Sequence, residues 1–136
     1  MIVVDANLIG YLFIENENSP LATLVFSKDP DWYAPMLWQS EMRSIVSKYF
    51  RFKNMPFERA SEIVNEAHDL MIEHERHVSS NLVLELIAAS NCTSYDCEYV
   101  ALAKEMNLRL VTFDTDVLRD FPGIAVHPQN FIGESS

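Results

Sequence analysis

Two stretches of this chain run apolar without alternation and end on an aspartate: Ile2-Val3-Val4 before Asp5, and Leu110-Val111-Thr112-Phe113 before Asp114. Such a run predicts a strand covered on both faces, the habit of parallel sheets. Elsewhere the period lengthens. Phe57, Ala60, Ile63, Val64, Ala67, Leu70 and Met71 recur at i, i+3, i+4, i+7 after Pro56, which predicts an amphipathic helix facing a core. Helical segments are also expected over 7–13, 21–27, from 37–40 to 50, 81–89, 96–106 and 116–121. Asn107 can cap the fifth of these, with Val100, Ala103 and Met106 inward. Short strands are expected at 32–35, ended by Pro35, and at 124–127, the latter at a sheet edge. Strand, helix, strand, helices, strand, strand is the order of an α/β protein. It predicts a central, mainly parallel sheet of about four or five strands with helices on both faces. The chain reads as one domain over 1–136, with 132–136 as a disordered tail.

Composition narrows the class. No stretch approaches the roughly 20 apolar residues of a membrane helix. Strand pattern begins at residue 2 with no basic segment before it, so a signal peptide is not expected and the cytoplasm is the expected compartment. Cys92 and Cys97 lack the CxxC spacing of a redox or zinc pair and read as reduced small residues. His74 and His77 flank Glu75 without forming HExxH, and read as a solvated helix end. The net charge of −10 is unusual for a nucleic-acid protein. Yet Arg43, Lys48, Arg51, Lys53 and Arg59 make up 5 of the 10 Lys and Arg residues and lie within one short stretch. Two readings of that cluster stay open: a solvated helix face, or, for Arg43, Lys48, Arg51 and Lys53, a strip that meets an RNA backbone.

The acids are more informative. In open α/β sheets, ligands bind outside the carboxyl ends of the strands. Asp5 and Asp114 end strands at that edge. A helix that follows a strand starts there, which places Glu41. A helix leading into a strand runs opposite to it and starts at the same edge, which places Asp96. Asp116 adds a fifth acid through Asp114-Thr115-Asp116. Singly, Asp96, Glu41 and Asp116 read as helix caps or first-turn acids. Together, clustered carboxylates repel and need a compensating charge. A hard divalent cation with oxygen ligands supplies it, and one or two such ions can drive phosphodiester hydrolysis.

Four segments in order carry a family resemblance: Ile2-Val3-Val4-Asp5-Ala6-Asn7-Leu8, Gln39-Ser40-Glu41, Thr93-Ser94-Tyr95-Asp96 and Leu110-Val111-Thr112-Phe113-Asp114-Thr115-Asp116. The chain resembles PIN-domain proteins, above all the VapC-type toxins of toxin–antitoxin pairs. The resemblance implies a three-layer α/β/α PIN-like fold and a Mg²⁺- or Mn²⁺-dependent endoribonuclease with one or two ions per site. It implies metal ligation and catalysis at Asp5, Glu41, Asp96 and Asp114, with Asp116 as an auxiliary and Asn7 and Thr112 orienting the acids. It further implies an RNA substrate, a homodimer and a small antitoxin whose tail covers the site. Cys97, where the family usually has alanine, and the acidic charge depart from the pattern.

A second reading is a catalytically weak module of this fold that acts through protein or nucleic-acid binding. Its candidate surface is Phe50, Phe52, Met55 and Phe57 around a helix–helix turn, against the expectation that at least half of them are core. A receiver domain would want adjacent acids after the first strand and a lysine after a late one. A haloacid-dehalogenase phosphatase would want DxD, where Asn7 stands.

Overall fold

A computed structural model describes residues 1–135. Strands β1 (Ile2–Val4), β2 (Trp32–Pro35), β3 (Glu75–Arg76), β4 (Leu110–Val111) and β5 (Ala125–Val126) form one sheet in the order β3-β2-β1-β4-β5. Every pairing is parallel. β1 lies at the centre and is buried at all positions, which is why its sequence shows no alternation. The expected α/β layering is present, with the sheet parallel throughout.

Helices α1 (Ala6–Phe13), α2 (Ser19–Lys28), α3 (Trp38–Phe52) and α4 (Phe57–Met71) pack together as one group, and α4 touches β2. α5 (Ser80–Ala88) packs on α6 (Ser94–Met106), which lies across β1, β2 and β4. α6 is buried at Cys97, Tyr99, Val100, Ala101, Leu102 and Ala103. It therefore buries nearly its whole circumference between sheet and α5, which suits its run of small residues. Asn107 ends it at φ 56°, a left-handed C-cap, as expected. α7 (Thr115–Asp120) and α8 (Pro128–Gly133) follow β4 and β5.

Several expectations need correction. The strand expected over 110–113 is laddered only at Leu110–Val111, because Thr112 turns its hydroxyl to the site and Asp114 begins a helix cap. Glu75–Arg76 is not a solvated helix end but an edge strand. Ala34 N donates to His74 O and Met36 N donates to Arg76 O. Two polar residues offer no hydrophobic period, so nothing announced this strand. His74 Nε2 lies 3.1 Å from Asp31 Oδ1 and its ring packs edge-on against Tyr33, so it is not simply solvated. Ile132 and Gly133 belong to α8, tied down where Lys28 Nζ donates to Phe131 O and Glu134 O. The tail expected at 132–136 thus loses its first residues to a helix, and Ser136 lies outside the described residues. Phe57, expected inward, is 65% exposed at the first turn of α4.

Candidate active site

The carboxyl edge of the sheet opens into a cavity of about 240 Å³. Asp5, Glu41, Asp96 and Asp114 all line it, with Asn7, Ser44, Lys48, Tyr99 and Thr112. Each acid arrives on a different element. Asp5 follows β1 and caps α1, and Glu41 stands in the first turn of α3. Asp96 stands in the first turn of α6, whose cap is Thr93 rather than Asp96 itself. Asp114 caps α7. Carboxylates at helix N-termini are stabilised by unpaired backbone N–H groups and by the helix dipole, so the fold can hold them close together.

Asp5 is the most constrained. Its Oδ1 accepts from Leu8 N at 2.8 Å. Its Oδ2 accepts from Thr112 Oγ1 at 2.5 Å and from Phe113 N at 3.2 Å. The Thr112 hydroxyl in turn accepts from Asp114 N at 3.0 Å. Thr112, 1% exposed, thus links the two strand-end acids through a single oxygen. Asp114 Oδ1 accepts from Val117 N at 2.9 Å. Glu41 Oε1 accepts from the hydroxyl of Tyr99 at 2.5 Å.

The electrostatics are those of crowded acid. Burial pushes the Asp5, Glu41 and Asp96 carboxyls above their ordinary values. Neighbouring charge adds to this: Asp114 raises Asp5, Asp96 and Asp5 raise Glu41, and Asp114 and Asp116 raise Asp96. Burial, with the Glu41 charge second, also holds the Tyr99 hydroxyl well above its ordinary value, so it stays a donor. Among the described residues, Lys48 is the only cation lining the cavity.

The other expected residues are placed less uniformly. Asn7 is exposed at the rim and makes no side-chain hydrogen bond among the described residues. Asp116 does not line the cavity; its side chain is 58% exposed and pairs with Arg119 Nη1 at 3.0 Å. The basic cluster is split. Lys48 shares a face of α3 with Glu41 and Ser44, whereas Arg43 lines grooves toward α4. Arg51 is exposed, and Lys53 lies over the Tyr49 ring at 5.5 Å. Tyr99 was not anticipated. Its one sequence signal is the i+3 spacing from Asp96, which puts both on one face of α6.

The donor set is all oxygen, the preference of Mg²⁺ and Mn²⁺ rather than of softer metals. Among the described residues no three acidic, histidine or cysteine side chains close into a ready ligand shell. Mg²⁺ suits such a site, since it keeps several waters and takes only one or two carboxylates. The cysteines are not part of the cavity lining. Cys92 and Cys97 are buried free thiols, and burial raises both, Cys92 to about 11.

A family model described as PIN domain matches residues 2–123, a span that holds all of these acids. Ribonuclease VapC3 of Pyrobaculum aerophilum is 25% identical over 126 residues, covering 90% of this chain and 96% of its own. The crystal structure of PAE2754 from Pyrobaculum aerophilum superposes with a TM-score of 0.76 at 19% identity, covering 97% of this chain and 93% of that one. A toxin–antitoxin complex from Klebsiella pneumoniae gives a TM-score of 0.70 at 17% identity, covering 94% and 98%. At those identities the solved structures establish a shared fold, and the family model adds the sequence match that fold alone lacks. This chain belongs to the PIN-domain family.

Proposed function

We propose that the chain is a divalent-metal-dependent endoribonuclease and the toxin of a VapC-type toxin–antitoxin pair. The observation that carries this reading is the arrival of Asp5, Glu41, Asp96 and Asp114 from four elements in one cavity. Such an arrangement is unfavourable without a cation, and costs stability that only a use for the charge explains. The resemblance to a protein described as a ribonuclease supports RNA as substrate. Asp5, Glu41, Asp96 and Asp114 would hold Mg²⁺ or Mn²⁺, with Asp116 acting from the rim. When bound, the ion supplies Lewis acidity that activates water and stabilises the leaving oxygen of a phosphodiester. Thr112 fixes the Asp5 carboxylate, and the Lys48 ammonium can meet a phosphate oxygen at the mouth. Asn7 orients substrate or water rather than a neighbouring acid. The unit of action is the whole chain as one domain, paired as a homodimer in the cytoplasm.

A second observation bears on partners. Phe50, Phe52 and Phe57 are 45%, 77% and 65% exposed around the α3–α4 turn, while only Met55 of that group packs on the core. Exposed aromatics of this kind mark a contact surface. They fit an antitoxin, as the toxin–antitoxin complex with the same fold suggests, and equally the alternative of a binding module with little chemistry. A thermal shift with Mn²⁺ separates the two. At 100-fold excess over its dissociation constant a ligand adds about 2.7 kcal/mol. The nuclease reading requires that shift in the wild-type protein and its loss in Asp96→Asn. A binding module gives no shift in either.

A further inference from the structure

Tyr99 is a buried polar residue that the acidic site does not obviously need. It is 4% exposed, on the helix that packs across the middle of the sheet. Phenylalanine would fill the same space without a hydroxyl to satisfy, and an unsatisfied buried hydroxyl is costly. Here the hydroxyl donates to Glu41 Oε1, across 58 residues of sequence. It is the only hydrogen bond to that carboxylate among the described residues. The Asp96, Asp5 and Glu98 charges all repel the Glu41 carboxylate. A glutamate side chain has three rotatable bonds, and left alone would swing away from those charges toward solvent. Asp5 and Asp114 are short and held by cap hydrogen bonds, and Asp96 is short; Glu41, in the first turn of α3, is long, and its carboxylate is anchored from another helix.

We infer that Tyr99 is a positioning residue, holding Glu41 by Oε1 so that Oε2 stays turned to the cavity. This rests on the reading of the site as a metal centre. Partners that orient a metal ligand typically matter 10–100-fold in affinity or activity. The test is Mn²⁺ titration calorimetry on the whole protein in four forms: wild type, Tyr99→Phe, Glu41→Gln and the double variant. Urea midpoints run in parallel. Tyr99→Phe should weaken Mn²⁺ about 10–100-fold, with the urea midpoint lowered by no more than the loss of one hydrogen bond to a carboxylate. In the Glu41→Gln background the same change should alter affinity less than about twofold, because its action passes through the missing carboxylate. Equal affinity in wild type and Tyr99→Phe overturns the inference. So does an equal loss in both backgrounds, which would make Tyr99 a packing residue. Wild-type protein that binds no Mn²⁺ at all overturns the metal reading beneath it, a different failure from either of these.

Discussion

Replacing Thr112 with valine removes one oxygen from the centre of the site and leaves the shape of the side chain nearly unchanged. That oxygen donates to Asp5 Oδ2 and accepts from Asp114 N at 3.0 Å. Thr112 is 1% exposed, so water cannot easily replace it. A hydrogen bond to a charged group contributes about 1.5–3 kcal/mol, and a stranded buried N–H costs about 1–3 kcal/mol. Asp5 keeps its bonds from Leu8 N and Phe113 N, so the first loss is partial. Thr112→Val should therefore destabilise by about 2–4 kcal/mol, a large share of the roughly 5–15 kcal/mol typical of a domain. The assay is urea denaturation followed by circular dichroism, with an unchanged slope as the sign that only stability moved. Thr112→Ser keeps the oxygen and should recover most of the loss, short of about 1 kcal/mol for its methyl group. The penalty should shrink on acidification, since protonated Asp5 no longer needs a donor. A Thr112→Val protein within about 0.5 kcal/mol of wild type would mean that the Thr112 oxygen does not hold the two acids, as would a serine variant no better than valine.

The remaining predictions concern charge, substrate and surface. The raised carboxyls of Asp5, Glu41 and Asp96 bind more protons folded than unfolded, so metal-free stability should fall as pH rises from the ordinary 3.8 and 4.5 toward their raised folded values. Melting temperatures in EDTA against pH read this directly, and Mn²⁺ should flatten the decline; a flat profile in EDTA speaks against crowded charge. Asp96→Asn should raise metal-free stability, because it removes a charge held above its ordinary value by burial and by the Asp114 and Asp116 charges, while losing cleavage. A destabilised Asp96→Asn would contradict that. Lys48→Gln should weaken binding of single-stranded RNA and reduce the salt slope by about 0.7, whereas Arg43→Gln, facing α4, should change neither. Phe52→Asp should stay within about 0.5 kcal/mol of wild type in urea; a larger loss would place Phe52 in the core despite its exposure.

The sequence made the centre of this molecule legible because buried parallel strands leave an unbroken apolar mark. Ile2-Val3-Val4 and Leu110-Val111 could be read as strands, and the acid after each could be placed at the working edge. The direction of a helix in an α/β unit then located Glu41 and Asp96, and the cavity brings these four together. Features that depend on one tertiary contact left no such mark. Glu75–Arg76 becomes a strand only because β2 offers an edge, and α8 is held by Lys28 from more than a hundred residues away. The Tyr99 hydroxyl has meaning only once Glu41 is beside it. The basic cluster shows the opposite failure: neighbours in sequence point to different faces of α3, so a run that looked like one surface is divided between two. Asp5→Asn, an obvious inactivating change, is a poor control for the same kind of reason. Its amide would have to turn either a donor toward Phe113 N–H or one toward Leu8 N–H.

The most direct measurement is cleavage of a mixed RNA pool, transfer RNA included, by purified protein with Mg²⁺ or Mn²⁺ and with EDTA. Asp96→Asn protein, purified identically, controls for contaminating nucleases. Discrete cleavage products should appear that require the metal and disappear with the variant. Cleavage that survives EDTA, or that Asp96→Asn performs as well as wild type at equal folded fraction, would contradict the proposed activity.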